Sequence, residues 1–447
     1  MNLSLKQLAV LVDGELLGED VAIRGLCHDS RQVEPGDLFI ALAGEQADGH
    51  DYLDSAQSRG ASAALVSQRV DCSLPQLRVA DPQQAMGVIA AHWRDRLNAL
   101  SLVGITGSNG KTTVKEMVAA ILSACAPTLA TRGNYNNEIG MPLTLARLDA
   151  QHRYAVIEMG ASGPGDIRYL ADLAKPDVGL VNNAGPAHLE GFGSLEGVAR
   201  TKGEMYTSLA PGKVAVINAD DRFFPLWWEM ASHCQRLTFG LDAEADVHAL
   251  QGPDQVTVVS PAGQGQLVLP LPGRHNLMNA LAAIAIAHAL GIGLEQAIPA
   301  LESMQSLPGR LQARRHADGW QLIDDSYNAN PASLYAGLQV LAAMPGEPWL
   351  VLGDMAELGE DAAQLHGEMG QSAADLGVRR LFTIGELSRH AATAFGPNAQ
   401  HFETHDALAK SLAESLREGV NCLVKGSRSM AMERVVRSLT EGESSPC

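Results

Sequence analysis

The residues best suited to chemistry lie between positions 104 and 113, where the sequence reads GITGSNGKTT. Glycines in such a segment let backbone N–H groups turn toward phosphate oxygens, and the amine of Lys111 can reach the β- and γ-phosphates. A hydroxyl from Thr112 or Thr113 can ligate Mg²⁺. The segment therefore predicts a phosphate-binding loop for ATP.

The loop departs from the strict phosphate-loop pattern at one position. That pattern has a glycine five residues before Gly110, where this chain has Ile105. An apolar run precedes the loop and a helical pattern follows it, and this strand–turn–helix context favours nucleotide binding over a structural glycine turn. The predicted nucleotide contacts in the loop are Gly107, Ser108, Asn109, Gly110, Lys111, Thr112 and Thr113.

Two further candidates follow short apolar runs. Glu158 comes directly after the apolar residues 154–157, at a strand end where an α/β sheet presents its ligands, and His188 follows the predicted strand 178–182. From the residues alone, Glu158 is either a metal ligand or an ordinary solvated carboxylate. His188 is either a ligand or a hydrogen-bonded structural histidine.

Lys202 lies in a helical segment, with Glu196 and Glu204 close enough in sequence for ion pairs. From spacing alone, the preferred interpretation is a surface lysine paired with one of these glutamates.

Composition limits the class of protein and its partners. A chain of 447 residues is too long for one hydrophobic core, and its net charge of −18 argues against nucleic-acid or membrane-surface binding. The six cysteines show no CxxC pair or metal-ligand spacing, so reduced thiols are expected. Neither a signal peptide nor a membrane-spanning apolar run is found. We therefore predict a cytoplasmic protein with no integral membrane segment. We also expect a monomer, although composition does not decide the oligomeric state.

Three segments have different patterns, and together they predict an α/β protein of three domains. Residues 1–82 predict a small N-terminal α/β domain, and residues 83–308 predict a central parallel sheet that binds a mononucleotide through the phosphate loop. Residues 309–447 predict a C-terminal Rossmann-like domain.

Short apolar runs give the expected strands. Central strands are predicted at 102–106, 154–159, 178–182 and 214–218, and C-terminal strands at 321–324, 349–352, 381–384 and 422–425. A small antiparallel patch is predicted between 238 and 271, and an alanine-rich helix at 276–290.

Seven motifs occur in one order along the chain. They are TGSNGKTT (106–113), EMGA (158–161), NNAGPAHLEGFGS (182–194), KGE (202–204), GRHNLMNALAA (273–283), PGR (308–310) and DDSYNANPAS (324–333). On these motifs the chain resembles the Mur ligases, ATP-dependent amide-forming enzymes of peptidoglycan precursor synthesis. The resemblance implies that a substrate carboxylate attacks the γ-phosphate of ATP, and that an amine then opens the acyl phosphate to an amide.

Within the family, EMGA, DDSYNANP and HDSRQVEPGDLFIAL (28–42) most resemble the member that adds a dipeptide. The resemblance therefore implies UDP-MurNAc-tripeptide and D-Ala-D-Ala as substrates, with ATP and Mg²⁺. The member that adds a diamino acid is the nearest competitor, but its typical Asp-Asn-Pro-Arg motif is not found here.

Two more distant functions compete with this interpretation. Folylpolyglutamate synthetase has a similar ATP site but would not need the segment 28–42. A non-catalytic nucleotide switch could use the same phosphate loop, but it would leave Lys202, the asparagine-rich loop and the third domain without a task.

The same resemblance implies roles for individual residues. The catalytic residues are Lys111, Lys202 and His188, and the Mg²⁺ ligands are Thr112, Glu158, His188 and Lys202. Lys202 would be carbamylated, which replaces its positive charge with carboxylate-like oxygens. The further ATP contacts are Asn279, Arg310, Asp325 and Tyr327, and Asn276 fits a cap at the start of its helix.

Substrate contacts are expected in all three domains. By resemblance, the uridine-diphosphate end is held by Ser30, Arg31, Asp48, Gly49 and His50. The amide-rich loop 133–140, with Asn134 and Asn137, suits a peptide or sugar ligand or is a surface turn. Lys425 and Arg428 follow a predicted strand, and these cations could hold an incoming carboxylate.

Overall fold

The structure is a computed structural model that describes residues 1–44, 47–186, 189–251 and 255–440. Within these ranges it contains three α/β units, each built around its own sheet. This architecture confirms the fold class predicted from the sequence. The exact boundaries 1–82, 83–308 and 309–447 remain predictions.

The first unit is a small mixed sheet with helices. Its elements are β1 (Leu3–Ser4), α1 (Leu5–Leu11), β2 (Glu15–Leu17), β3 (Ala22–Ile23), β4 (Gly25–Cys27), β5 (Asp37–Ile40), a 3-10 turn (Gly49–Tyr52), α2 (Leu53–Ser58), β6 (Ala63–Val66) and β7 (Gln76–Arg78). Strands β7, β6, β5 and β4 are parallel neighbours, β2 is antiparallel at the β7 edge, and β1 pairs with β3. The strand β5 is buried along its whole length, as expected for a central parallel strand.

Helix α3 (Pro82–Asp95) connects the first unit to the second. The Asp81 carboxylate caps it by accepting the N–H groups of Gln83 and Gln84. Met86 and Ile89 pack in the core of the first unit, whereas Ala90 packs in the core of the second. The helix therefore contributes to both cores.

The central unit is built on the largest sheet. Its elements are β8 (Ser101–Thr106), α4 (Lys111–Cys125), β9 (Thr128–Ala130), α5 (Gly140–Ala146), β10 (Tyr154–Glu158), α6 (Asp166–Ala174), β11 (Val178–Val181), α7 (Leu189–Phe192), α8 (Leu195–Thr207), β12 (Val214–Asn218), α9 (Phe224–Met230), β13 (Gln235–Gly240), β14 (Val247–Gln251), β15 (Val256–Ser260), β16 (Gly263–Leu267), α10 (Arg274–Ala289) and α11 (Leu294–Glu302).

The strand order of this sheet is β9-β10-β8-β11-β12-β13-β14-β15-β16. From β9 to β14 the pairs are parallel, and the last two pairs are antiparallel, so the predicted antiparallel patch is confirmed for β14 to β16. The chain leaves β8 to one side for β9 and β10 and then crosses to the other side for β11. The carboxyl end of β8 is therefore a switch point, where open α/β sheets bind ligands.

The third unit is a second, mostly parallel sheet. Its elements are β17 (Gln312–Arg315), β18 (Gln321–Asp325), α12 (Pro331–Ala343), β19 (Glu347–Gly353), a 3-10 turn (Gly359–Asp361), α13 (Ala362–Asp375), β20 (Arg380–Ile384), α14 (Ser388–Phe395), β21 (Ala399–Phe402), α15 (His405–Ser415), β22 (Val420–Lys425), a 3-10 turn (Arg428–Met430) and α16 (Glu433–Thr440). The order is β17-β18-β22-β19-β20-β21, and only the β17–β18 pair is antiparallel.

One helix begins earlier than predicted. Helix α10 begins at Arg274, with Gly273 at the N-cap. The assignment of Asn276 as the cap is therefore wrong: Asn276 lies in the first turn, and its Nδ2 donates to the Pro272 carbonyl (2.7 Å).

The described part of the chain contains five cysteines, and all of them are free thiols. No helix in the described ranges is both long and apolar enough to cross a membrane.

Candidate nucleotide site and its cavity

The predicted phosphate loop connects the central strand β8 to helix α4, and its glycines are required by geometry. Gly110 precedes α4 in a left-handed conformation (φ 79°). A Cβ at this position would lie 2.6 Å from both Nδ2 of Asn182 and Oδ1 of Asn279. Any other residue would therefore be strained and would also collide with the buried amides behind the loop.

Asparagines that follow the neighbouring strand β11 hold the loop in place. The Nδ2 groups of Asn182 and Asn183 both donate to the Asn109 carbonyl (3.0 Å each), and Oδ1 of Asn183 accepts the Asn109 N–H (2.8 Å). Asn182 also donates to Oδ1 of Asn279 (3.0 Å). The loop is thus pre-organised for a ligand by residues more than seventy positions away.

Asn279 lies next to these asparagines, and only 5% of its surface is exposed. Its Oδ1 accepts from Asn182, and its Nδ2 lies 3.4 Å from Oδ1 of Asn276. The structure therefore places Asn279 beside the phosphate loop. Its predicted contact with ATP stays a prediction.

The Lys111 ammonium folds back over its own loop. It donates to the Gly107 carbonyl (2.8 Å) and lies 3.4 Å from the Ser108 carbonyl. Burial lowers the pKa of Lys111, the Arg310 charge lowers it further, and the Glu158 carboxylate opposes both. An anionic ligand at the loop would stabilise the charged form of this lysine.

Glu158 is the last residue of β10 and is 2% exposed. One oxygen, Oε1, accepts from Nδ2 of Asn136 (2.7 Å), whereas Oε2 is buried without a partner in the described part of the chain. Thr106 Oγ1, at the end of the adjacent strand β8, and Asn182 Oδ1, directly after β11 on the far side of β8, are buried and unpartnered in the same way. Buried oxygens without donors suit a hard cation, so this strand edge fits Mg²⁺.

Within the described residues no group of three or more His, Cys, Asp or Glu side chains is arranged to hold a metal. Mg²⁺ commonly uses one or two carboxylates together with nucleotide phosphates. Glu158 and the Thr112 hydroxyl are therefore described side chains that could contribute without modification. The predicted ligand His188 lies outside the described residues.

Lys202 contradicts the interpretation drawn from spacing. It lies in α8 and is 2% exposed, and its Nζ lies 5.6 Å from the centre of the Phe192 ring. Glu204 instead accepts the N–H of Gly165 (2.9 Å), and Glu196 pairs with Arg200. The surface ion pair is therefore wrong. Burial holds the pKa of Lys202 well below its usual range, and the Lys111 charge lowers it further.

Residues of the third unit close over the loop. Arg310 donates to the Thr112 hydroxyl (3.0 Å), and its guanidinium lies 4.3 Å from the centre of the Tyr327 ring. Asn330, which caps α12, donates to Oδ1 of Asn109 (2.7 Å). The second and third units thus meet directly at the phosphate loop.

A cavity of about 900 Å³ lies between these two units. It is lined by most of the predicted site residues: Ser108, Asn109, Gly110, Lys111, Thr112, Thr113, Asn134, Asn137, Glu158, Asn279, Arg310, Asp325, Tyr327, Lys425 and Arg428. The lining also includes His275, Asn136, Asn183 and Asn330, which were not singled out as site residues from the sequence.

The amide-rich loop before α5 forms one wall of the cavity. Asn137 Oδ1 accepts the Gly140 N–H (2.9 Å), so this side chain also shapes its own loop. Its neighbour Asn136, which the sequence placed only within this loop, donates to Glu158. That contact was missed because a pair 22 positions apart has no local signature.

The two predicted cations of the third unit differ in their surroundings. Lys425 is 3% exposed, and its Nζ lies 2.5 Å from Asp325 Oδ2 and donates to the Asn328 carbonyl (3.0 Å). Arg428 is largely exposed and pairs with Glu433 (3.1 Å). Lys425 therefore carries its own counter-ion, and Arg428 is the more accessible of the two cations.

The residues predicted for uridine diphosphate are in the first unit, beyond the carboxyl ends of β4 and β5. Arg31 is highly exposed and forms a bidentate ion pair with Asp29: its Nε donates to Oδ1 and its Nη2 donates to Oδ2 (2.9 Å each). The hydrogen bond from Arg31 lowers the pKa of Asp29 to about 2. Ser30, between them, is buried.

Asp48, Gly49 and His50 are the second group of residues predicted for uridine diphosphate, and their contacts in the structure are with the first unit itself. His50 Nε2 accepts the Ser67 N–H (3.1 Å), so the proton on Nδ1 is donated to Asp48 (2.6 Å). A Cβ on Gly49 would lie 2.6 Å from the Leu42 nitrogen. The residues predicted for uridine diphosphate do not line the cavity between the second and third units; they are Ser30, Arg31, Asp48, Gly49 and His50. Their substrate roles stay predictions.

A phosphate loop at the switch point of a parallel sheet, facing a second α/β unit across a cavity, defines a multi-unit nucleotide-binding α/β protein. The chain belongs to the Mur ligase family. Three family models match it. The model of the Mur ligase family catalytic domain matches residues 22–94. The model of the Mur ligase middle domain matches residues 105–287, and that of the Mur ligase glutamate ligase domain matches residues 309–428.

Similar proteins match this chain over nearly its full length. UDP-N-acetylmuramoyl-tripeptide–D-alanyl-D-alanine ligase of Escherichia coli K12 is 43% identical, covering 99% of both chains. A crystal structure of MurF from Acinetobacter baumannii is 35% identical with a TM-score of 0.92 and covers 99% of both chains. MurF ligase from Thermotoga maritima in complex with ADP is 28% identical with a TM-score of 0.84, covering 94% of this chain and 97% of that one.

Proposed function

We propose that this protein is an ATP-dependent ligase that joins D-alanyl-D-alanine to UDP-N-acetylmuramoyl-tripeptide. One observation supports the reaction class: the cavity joins the phosphate loop to cations of the third unit. The choice of substrates rests on the full-length similarity to the Escherichia coli ligase. The products are the UDP-MurNAc-pentapeptide, ADP and phosphate, formed through an acyl phosphate.

The nucleotide end of the reaction depends on fixed positive charge. Lys111 would leave the Gly107 carbonyl for the phosphates, and Arg310 approaches the same loop from the third unit. Pre-organised cations and N–H groups stabilise charge that develops in phosphoryl transfer. Because Arg310 and Tyr327 come from the third unit, its position relative to the loop controls whether the site is complete.

Glu158, Thr112 and a carbamylated Lys202 are the described residues that would hold Mg²⁺, and His188, outside the described residues, completes the proposed set. Bound there, the ion would neutralise phosphate charge and orient the reacting oxygens. The unpartnered Oε2 of Glu158 supports this assignment.

The first unit is proposed to hold the uridine diphosphate through Arg31. Arg31→Ala is expected to weaken binding of UDP-MurNAc-tripeptide by about tenfold, because a diphosphate loses a charged hydrogen-bonding fork. ATP binding should not change, since Arg31 does not line the cavity. Calorimetric titration with each ligand measures both effects. The variant Arg69→Ala removes another exposed arginine of the same unit and serves as the control; equal losses in both variants would contradict the assignment.

The decisive experiment for the function is a phosphate-release assay with ATP, Mg²⁺ and UDP-MurNAc-tripeptide, with and without D-Ala-D-Ala. We expect release that requires both substrates, together with a pentapeptide product identified by mass. If the dipeptide precursor and a diamino acid stimulate release instead, the protein is the diamino-acid-adding ligase. Release with neither pair would favour a nucleotide switch. The monomeric state and the cytoplasmic location remain predictions.

A further inference from the structure

One aromatic ring in the cavity lies close to two arginines. Tyr327, in the loop after β18, lines the cavity together with Arg310 and Arg428. The centre of its ring lies 4.3 Å from Cζ of Arg310 and 5.8 Å from Cζ of Arg428. A guanidinium at such a distance is attracted by the negative face of the ring. The same side chain therefore interacts with two cations that would otherwise repel each other.

The backbone of Tyr327 is fixed where the chain enters the third unit. Its N–H donates to the Gly309 carbonyl (3.1 Å). Gly309 has a left-handed conformation (φ 71°), and a Cβ at this position would lie 3.2 Å from Cβ of Tyr327. Because Gly309 directly precedes Arg310, this close approach of the two segments places the ring beside the first guanidinium.

The register of the sheet brings the second arginine to the same place. In the parallel pair of β18 and β22, Asp325 is the partner of Lys425. Tyr327 and Arg428 follow these two residues closely, so both lie beyond the same edge of the sheet. The Lys425 ammonium joins the two loops, since it pairs with Asp325 and donates to the Asn328 carbonyl (3.0 Å).

The two arginines belong to different parts of the proposed reaction. Arg310 donates to the Thr112 hydroxyl of the phosphate loop (3.0 Å), so it lies at the nucleotide end of the cavity. Arg428 pairs with Glu433 (3.1 Å) and is the accessible cation for the carboxylate of an incoming dipeptide. The ring of Tyr327 therefore contacts one cation at each end.

We propose that the ring of Tyr327 positions Arg310 for ATP and Arg428 for the dipeptide, so that one side chain sets the affinity for both substrates. Tyr327 is then a positioning residue in addition to the nucleotide contact predicted from the sequence. A contact between its hydroxyl and the nucleotide would involve ATP alone. The inference rests on the proposed function, from which it takes the two substrates.

The test is steady-state kinetics with each substrate varied in turn. Tyr327→Leu removes the ring and is expected to raise KM for ATP and KM for D-Ala-D-Ala by about two- to fivefold each, the range for loss of one exposed cation–π contact. Tyr327→Phe keeps the ring and should leave KM for D-Ala-D-Ala at the wild-type value. KM for UDP-MurNAc-tripeptide should not change in either variant, because the first unit is proposed to hold that substrate.

Tyr335→Leu is the matched control. This tyrosine lies in α12 of the same unit, is 42% exposed and does not line the cavity. All its kinetic constants should equal those of the wild type.

Two double variants test whether the ring acts through the arginines. In an Arg428→Ala background, Tyr327→Leu should still raise KM for ATP but should have no further effect on KM for D-Ala-D-Ala. In an Arg310→Ala background, Tyr327→Leu should raise KM for D-Ala-D-Ala and have no further effect on KM for ATP. Such selective losses are expected when the ring and each arginine act through one contact.

The outcomes are distinguishable. Wild-type turnover that does not depend on the dipeptide would overturn the proposed function and this inference with it. If the wild type does depend on the dipeptide but Tyr327→Leu leaves KM for D-Ala-D-Ala unchanged, this inference alone is wrong. It is also wrong if Tyr327→Phe raises that KM as much as Tyr327→Leu does, or if KM for all three substrates rises together.

The double variants and a second substitution complete the test. Effects of Tyr327→Leu that persist in full in both arginine backgrounds would reject the positioning role. Thermal melting identifies a Tyr327→Leu protein that fails to fold. In that case Tyr327→Gln, which places a polar side chain without a ring at this half-buried position, decides by the same measurements.

Discussion

Lys111→Ala is expected to reduce phosphate release by about 10³-fold, the upper range for loss of one pre-organised group that stabilises transition-state charge. The ammonium lies at the phosphate loop, where it donates to the Gly107 carbonyl. Its removal takes away the loop's own cation and leaves Arg310 of the third unit, so acyl-phosphate formation should fall to the same extent. Binding of UDP-MurNAc-tripeptide should persist, because the first unit is proposed to hold that end.

Two measurements check this prediction. Phosphate release reports the chemical step, and calorimetric titration reports binding of the UDP substrate to the same variant. Lys410→Ala removes an exposed lysine in α15 and should change neither quantity. A well-folded Lys111→Ala protein that loses both phosphate release and UDP-substrate binding would contradict the separation of the two sites.

Strands with strong apolar runs could be predicted from the sequence, and so could the phosphate loop. The predicted strand at 214–218 coincides with β12, and the predicted strand at 422–425 lies within β22. Such segments are buried on both faces, so their composition alone identifies them. In contrast, β9 has only three residues and no distinctive pattern, and it is held by its parallel pairing with β10.

Contacts between distant segments could not be predicted. The hydrogen bond from Asn182 to Asn279 joins residues 97 positions apart, and the ion pair between Lys425 and Asp325 joins residues 100 positions apart. No local periodicity reports such pairs. The residue types at the site were identified from the sequence, but the contacts that each of these residues makes depend on tertiary packing.

Lys202 is the clearest example of this limit. Helical spacing favoured a surface ion pair with Glu196 or Glu204, yet both glutamates have other partners and the lysine is 2% exposed. A window of sequence shows which residues share a helix face, but it does not show what covers that face. The resemblance to a family gave Lys202 a role that its spacing could not.

Lys202→Ala is expected to reduce amide formation by about 10²- to 10³-fold. The side chain is buried, no carboxylate forms an ion pair with it among the described residues, and both burial and the Lys111 charge lower its pKa. A neutral amine can attack CO₂: the Nζ–C bond forms, one proton leaves, and an anionic carbamate results. That anion would be attracted to Lys111, whereas the unmodified ammonium is repelled by it.

Carbamylation adds a readout that is independent of turnover. In buffer with ¹³C-labelled bicarbonate, the wild type should show a carbamate carbon resonance that is missing in Lys202→Ala, and removal of CO₂ should lower wild-type activity reversibly. Arg200→Ala, on the exposed face of the same helix, should keep both the resonance and the activity. Full activity of Lys202→Ala at ambient CO₂ would exclude a catalytic role for this lysine. If activity is lost but the wild type lacks the resonance, Lys202 acts as an unmodified amine. The metal-site assignment must then rest on Glu158, since an unmodified lysine offers no anionic oxygen to a divalent cation.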